Sequence, residues 1–338
     1  MNLLAIETSC DETAAAVVRD GRDVLSSVVS SQIALHAPHG GVVPELAARA
    51  HLEAISTVVD AALRGLGGGW DDVDAVAVTR GPGLVGCLLV GVLYAQAAAQ
   101  ARALPLVGVS HLAGHVYSAW LADEALEPPF VALLVSGGHT ESVLLREHGN
   151  AERLASTRDD AAGEAFDKVA RLLGLGYPGG PAIQRAAAGG DASRFRLPRT
   201  HVPGGFSFSG LKTAVRYTIR DLGASALDGE GVPRDPEVVS ALAASFQRSA
   251  VSQLVDGLEE AVERTDAGAV AVVGGVAANE ALRAAVRQRF SGLSVVVPPL
   301  DLCTDNAAMI GAAGWQRLRL RGPDAPGFDA DPSLAEFA

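Results

Sequence analysis

Residues 3–19 and 132–146 carry one pattern at an offset of 127 positions. The chain is apolar from Leu3 into Glu7, polar over Thr8-Ser9-Cys10-Asp11-Glu12, and apolar again from Thr13 to Arg19. It is likewise apolar over Ala132–Val135, polar over Ser136-Gly137-Gly138-His139, and strand-like from Thr140 to Arg146. Ser9 falls on Ser136, Thr13 on Thr140 and Arg19 on Arg146. Each copy reads as strand, tight turn, strand. A hairpin repeated at that distance predicts two similar lobes built by duplication; the competing reading is two unrelated hairpins. The length of 338 residues fits two domains of about 150 each. With 49% hydrophobic and 20% charged residues, each can bury a core. A disordered chain and a small disulfide-stapled scaffold are excluded. Aromatic residues are only 5% and glycines number 38, so the cores must be Ala, Val and Leu between tight turns.

The elements between and after the hairpins alternate in α/β fashion. Periodicity predicts helices over Leu52–Leu66, Leu84–Arg102, His111–Leu121, Pro236–Arg264, Asn279–Arg289 and Asp305–Leu318. It predicts strands over Val73–Thr79, Leu106–Val109, Ala269–Val273 and Val295–Val297. Residues 174–180 read as a glycine-rich stretch, 203–210 as a loop and 228–235 as a polar connection. Gly81 to Ala101 carries no charge, long enough to mimic a membrane span. Pro82, Gln96, Gln100 and three glycines after Pro82 predict instead a helix buried on all sides in a soluble domain.

Net charge is −12, which excludes a globally basic nucleic-acid binder but not a local basic patch. Such a patch exists in the sequence. From 185 to 220 stand Arg185, Arg194, Arg196, Arg199, Lys212, Arg216 and Arg220 against the single acid Asp191. This is either a solvated face paired with acidic neighbours or a strip for nucleic-acid phosphates. Cys10, Cys87 and Cys303 are odd in number and far apart, with no CxxC pair, so a reduced, cytoplasmic protein is expected. The N-terminus shows neither a basic n-region nor a long apolar core.

His111 and His115 stand at i and i+4, which brings Cβ atoms about 5–6 Å apart on one helix face. The pair either chelates one metal ion or consists of surface or cap histidines. No glutamate follows His111, so the H-E-x-x-H protease machinery is absent. Asp305 opens the last helix and reads as an N-cap or as a third ligand. A His-His-Asp set with open positions suits Fe(II) or Zn(II). The Ser136–Thr140 turn can close backbone N–H groups on phosphate, or be an ordinary turn. Gly274-Gly275-Val276-Ala277-Ala278-Asn279 resembles a nucleoside-binding turn, or uses its glycines for packing. Gly81-Pro82-Gly83-Leu84-Val85-Gly86 matches G-x-G-x-x-G formally. Pro82 removes a donor and no acid stands about 20 residues on, so close helix–strand packing is the better account.

Taken in order, Ile6–Thr13, Gly41–Glu45, Gly81–Leu84, His111-x3-His115, Ser136–Thr140, Gly163–Lys168, Tyr177–Pro181, Phe206–Lys212 and Gly274–Asn279 resemble the TsaD family. The resemblance runs from residue 3 to about 318. It implies an α/β fold of the actin-like, sugar-kinase and Hsp70 (ASKHA) type: two duplicated lobes with the site in the cleft between them. Lobe I would be 1–130 with the helix 306–320 packing back on it, lobe II 131–305, and 321–338 a flexible tail. It implies an acyltransferase that moves threonylcarbamoyl from threonylcarbamoyl-AMP to N6 of adenosine 37 in tRNAs reading ANN codons, forming t6A and releasing AMP. The family's metal ligands match His111, His115 and Asp305, with Fe(2+) the expected ion and Zn(2+) the alternative. Its nucleotide loop matches Leu134, Val135, Ser136, Gly137 and Gly138, and further substrate contacts match Asp167, Gly180 and Asn279. Gln184 stands where the family often has an acid. On that chemistry Asp11 or Glu12 accepts the N6 proton, Asp11 being favoured, while Arg194, Arg196, Arg199 and Lys212 meet tRNA phosphates. A TsaB-like inactive paralogue and a TsaE-like small ATPase are the implied partners, and no membrane is. Three rivals stand beside this: a small-molecule kinase on the same fold, a metalloprotease and a non-catalytic scaffold. The missing glutamate after His111 counts against the second, and the intact His111, His115 and Asp305 against the third.

Overall fold

The computed structural model describes residues 1–335 and 337. The chain divides into two compact units, one of residues 1–128, 145–151 and 298–338, the other of 129–144 and 152–297. The first holds β1 (Asn2–Glu7), β2 (Glu12–Arg19), β3 (Asp23–Ser31), α1 (Ile33–His36), α2 (Pro44–Leu63), β4 (Ala75–Gly81), α3 (Val85–Arg102), β5 (Leu106–Ser110) and α4 (His111–Ala122). The second is built from β6 (Phe130–Val135), β7 (Thr140–Glu147), β8 (Asn150–Thr157), α5 (Ala162–Leu172), α6 (Gly179–Ala187), β9 (Gly205–Phe206), α7 (Ser209–Asp221), α8 (Pro236–Glu263), β10 (Ala269–Val273), α9 (Glu280–Arg289) and β11 (Ser294–Val296). The chain then returns to the first unit with α10 (Leu300–Cys303) and α11 (Ala307–Arg321). Residues 298–305 thus group with the first unit, not with the second as the sequence boundary had it.

The first sheet runs β3-β2-β1-β4-β5 and the second β9-β8-β7-β6-β10-β11. Apart from the extra β9, the orders superimpose with β1 on β6 and β2 on β7, which places the repeated hairpins at equivalent positions. β1 pairs antiparallel with β2 and parallel with β4, and β6 pairs parallel with β10. Parallel strands are covered on both faces, which is why β1, β4, β6 and β10 are apolar nearly throughout. The two-residue alternation divides β1 between two cores. Leu3 and Ala5 pack with Ala75 and Ala77 of β4 under α4 and α11. Leu4 and Ile6 pack with Val76 and Val78 under α2 and α3. By the same parity Glu7 and Thr79 belong to the α4/α11 face.

Three expectations are corrected. First, α3 is not buried on all sides. Val92, Ala95 and Ala99 pack on the sheet, but Val85, Leu89 and Leu93 are 55%, 41% and 60% exposed. Among the described residues α3 is the one helix long and apolar enough to cross a membrane. Second, α2 begins at Pro44, well before Leu52, because Pro at N1 suits a helix start and its early buried face, Ala47 and His51, is not an apolar run. Third, the tail is not frayed. Asp324 N–H donates to Leu106 O (2.9 Å), and Asp324 Oδ2 accepts from Gly108 N (2.7 Å) on the edge strand β5. Arg317 holds the same carboxylate through two bonds of 2.7 and 2.8 Å. Arg80 Nε and Gln96 Nε2 bond the carbonyls of Asp329 and Phe328. The tail therefore covers an otherwise open sheet edge. Asp324→Ala is expected to cost about 2–3 kcal/mol, since it breaks charge-assisted bonds and strands Arg317. Urea unfolding measures this; a midpoint equal to wild type would show that the edge needs no cover.

Candidate active site

The first unit gathers the histidines and carboxylates. β5 ends at Ser110, whose side chain caps α4, so His111 and His115 lie one turn apart in that helix. Their ring centroids are 4.6 Å apart. Asn306, not Asp305, caps α11: its side chain accepts from Met309 N at 3.0 Å. Asp305 Oδ1 lies 3.2 Å from His115 Nε2 and 3.6 Å from His111 Nε2. One donor atom from each of the three lies within 4.8 Å of the others. His115 is wholly buried, and neither of its ring nitrogens makes a hydrogen bond; the 3.2 Å approach to Asp305 is misaligned for one. A buried imidazole with both nitrogens unsatisfied is costly, and a metal ion on the Asp305 side would satisfy one of them. The donor set, two imidazoles and a carboxylate, fits a divalent ion with open positions.

The two histidines differ electrostatically. Burial works to lower the pKa of His111, but the Asp305 and Glu7 carboxylates outweigh it and push the group up to about 9. Burial wins at His115, which is lowered. Glu7 is also fully buried, yet the charge and hydrogen bond of His111 hold it below the ordinary carboxylate range. Glu12 is pushed up to about 9 by burial, then by Asp305 and Asp11, and so carries a proton at neutral pH.

The turn bearing Asp11 and Glu12 is fixed from several sides. Cys10 O accepts from His51 Nε2 (3.0 Å), Asp11 O from Gln32 N (2.9 Å), and Ser9 O from Leu84 N (2.8 Å). A Cβ on Gly83 would sit 2.6 Å from Ser9 O, so the G-x-G-x-x-G lookalike does serve packing.

The second unit gathers the expected nucleotide residues. Leu134 and Val135 end β6 and are buried, while Gly137 and Gly138 are exposed with open space where a side chain would stand. The turn is closed by Ser136 N to His139 O at 2.8 Å and His139 N to Ser136 Oγ at 3.1 Å. Gly163, in the first turn of α5, donates to Ser136 O at 3.1 Å. Gly274, at φ +90°, abuts Val135 O, where a Cβ would come within 2.5 Å. Asp167, one turn after Gly163, accepts from Gly179 N at 2.7 Å, and Gly180 beside it faces open space. Asn279 caps α9 by accepting from Leu282 N (3.0 Å), and its amide donates to Gln247 (2.8 Å). Gln184 accepts from Glu280 N at 2.8 Å, so it too supports the start of α9.

The basic strip is partly spent. Lys212 does not stand ready for phosphate: its Nζ bonds Asp160 Oδ2 at 2.6 Å, and Lys168 bonds Oδ1 at 2.9 Å. The chain's only two lysines thus grip one carboxylate. Arg199 pairs with Asp256, Arg194 lies over Phe195, and Arg194 and Arg196 are exposed. Two residues with clear roles escaped the sequence reading: Glu7, flagged only by a charge at the end of an apolar strand, and Asp160, flagged by nothing local.

Comparison with known proteins decides the family. Residues 23–312 match the family description "TsaD: tRNA N6-adenosine threonylcarbamoyltransferase". Proteins of that name from Anaeromyxobacter dehalogenans and Bacillus subtilis are 52% and 51% identical. They align over 98% and 93% of this chain and 98% and 90% of their own lengths. The chain belongs to the TsaD family. As a member it is a transferase that acts on adenosine in tRNA, and t6A formation is its family activity. Two solved structures share the fold at low identity. Component A of the Acidaminococcus fermentans (R)-2-hydroxyglutaryl-CoA dehydratase is 16% identical, with a TM-score of 0.56 over 94% of this chain and 96% of that one. T. kodakarensis HypF is 15% identical, with a TM-score of 0.62 over 94% and 48%. The chain thus has the two-lobed ASKHA-type α/β fold.

Proposed function

We propose that this chain transfers the threonylcarbamoyl group of threonylcarbamoyl-AMP to N6 of adenosine 37 in tRNAs reading ANN codons, with His111, His115 and Asp305 holding one divalent ion, Fe(2+) before Zn(2+). The observation that carries the reading is the buried, unsatisfied His115 beside Asp305 and His111, in a chain of this family. N6 of adenine is a poor nucleophile because its lone pair is delocalised, so the donor must be activated; a mixed anhydride with AMP as leaving group is. A bound divalent ion supplies Lewis acidity for a developing oxyanion. The protein's own groups do the rest. Backbone N–H groups of Gly137 and Gly138 hold phosphate, Ser136 N–H closing the turn on His139 O, and Leu134 and Val135 anchor that loop in the sheet. Asp167, Gly180 and Asn279 fix the ribose or base, Asn279 with the amide hydrogen that Gln247 leaves over. Asp11 accepts the N6 proton; Glu12, already protonated at neutral pH, is the poorer base. Arg194 and Arg196 meet tRNA phosphate, with Arg199 exchanging Asp256 for it.

Val85, Leu89 and Leu93 recur at i, i+4 and i+8 on α3, and Leu52 on the adjoining α2 is 65% exposed. This stripe is the docking face for a TsaB-like inactive paralogue, a TsaE-like ATPase completing the cytoplasmic assembly. Leu93→Arg is expected to abolish co-purification of the paralogue and leave the metal content of the isolated chain unchanged. Undiminished co-purification would place the contact elsewhere.

The test of the function is the modified-nucleoside profile of total tRNA after the protein is depleted in its host. Mass spectrometry should find N6-threonylcarbamoyladenosine lost, and restored by wild type but not by His115→Ala. An unchanged level would refute the assignment.

A further inference from the structure

Glu7 belongs to none of the groups assigned above, yet its buried carboxylate is held by three partners. It ends β1, the central strand, and is 0% exposed. Strand parity puts it on the α4/α11 face, and Thr79, at the end of the neighbouring strand β4, shares that face. Glu7 Oε2 accepts from Thr79 Oγ1 at 2.6 Å and from His111 Nδ1 at 3.0 Å. Oε1 accepts from the Ser9 backbone N–H. Ser9 Oγ lies 3.2 Å from the same His111 nitrogen. A carboxylate without a proton can only accept, so the proton of that bond sits on His111 Nδ1. When the ring gives up its second proton to ligate a cation, the lone pair is confined to Nε2, the nitrogen facing Asp305. His115 has no such partner on either nitrogen.

We propose that Glu7 is the positioning residue of the metal site: it fixes the tautomer and ring angle of His111, and with Asp305 it completes two negative charges against a divalent cation. The physical basis is general. A ligating imidazole whose other nitrogen donates to a carboxylate is oriented and made more basic, and loss of that partner weakens metal affinity about 10–100-fold. Thr79 and the Ser9 amide in turn orient the carboxylate, so the end of β1 and the end of β4 set the angle of a ring on α4. The proposal rests on the metal reading of His111, His115 and Asp305, and goes beyond it.

The test uses the full-length protein and Co(2+) as probe, with affinity from chelator competition and geometry from the visible d–d spectrum. Wild type should bind one equivalent and His115→Ala should not. Glu7→Gln, which keeps size and an acceptor but removes the charge, should bind about 10–100-fold more weakly, with a shifted d–d spectrum. Glu7→Asp, which restores charge at shorter reach, should recover part of the affinity. Wild-type affinity and spectrum in Glu7→Gln would overturn the proposal. Failure of wild type itself to bind Co(2+) would overturn the metal reading instead, so the two failures are distinct. A second measurement needs no change at residue 7. In Zn(2+)-loaded wild type, 15N NMR of the histidines, assigned by His111→Asn, should show His111 protonated at Nδ1 and ligating through Nε2. Ligation through Nδ1 would overturn the proposal even if Glu7→Gln does not fold.

Discussion

His115→Ala is expected to purify folded and metal-free, and to transfer threonylcarbamoyl about 10²–10³-fold more slowly than wild type. The magnitude follows from Lewis-acid stabilisation worth several kcal/mol, at about 1.4 kcal/mol per tenfold in rate. The stability expectation is the sharper part. His115 is buried with both ring nitrogens unsatisfied. Truncating it loses packing but also removes that unsatisfied pair, and the two effects oppose each other. Without metal, the variant should unfold within about 1–2 kcal/mol of metal-free wild type. His111→Ala should behave differently. It leaves the Glu7 carboxylate, 0% exposed, without its imidazole partner, an uncompensated buried charge costing about 3–5 kcal/mol. Metal content, t6A formation and denaturant midpoints of both variants check this together. Equal stability losses would show that the two histidines are not held as differently as their hydrogen bonds indicate. A metal-loaded, active His115→Ala would refute its role as a ligand.

The second large effect is expected from Gly163→Ala. This residue lies in the first turn of α5, where alanine is the better helix former by about 1 kcal/mol. Propensity alone would call the change stabilising. The geometry forbids it: the new Cβ would stand 2.6 Å from Ser136 O, 2.8 Å from Gly137 Cα and 2.9 Å from Gly137 N. All three are backbone atoms of the 136–138 turn proposed to hold phosphate, which must therefore move. A displacement of about 1 Å at a positioning element costs about 10²-fold in rate. AMP binding by calorimetry should weaken at least about tenfold, while Co(2+) affinity stays at the wild-type value because the donors belong to the other unit. Unimpaired AMP binding would mean that the 136–138 turn does not hold phosphate.

These two variants also mark the limit of what the sequence reveals. The 127-residue hairpin offset was legible because strands covered on both faces leave continuous apolar runs broken by a polar turn, and both copies occupy the same place in their sheets. The i, i+4 histidines were legible because a helix turn is a local fact. The elements β3, β8 and α5 to α7 were not singled out: β3 and β8 are largely exposed or half-buried, their apolar residues interrupted by polar ones, and α5 to α7 follow glycine-rich or loop-like stretches.

Pairings across long sequence separations were illegible in principle. Asp305 reads as a helix cap until Asn306 is seen to cap instead. Lys212 reads as a phosphate contact until Asp160, 52 residues away, is seen to hold it. Glu7 gains meaning only through Thr79 and His111, 72 and 104 residues on. The sequence by itself determined the family, the duplicated α/β plan and the two histidines, since each rests on local periodicity or on motifs in order. Tertiary structure alone decided which side chains are spent on one another and which remain for chemistry. Burial removes water as a partner, so every polar group must find another, and which one it finds depends on the folded path of the chain.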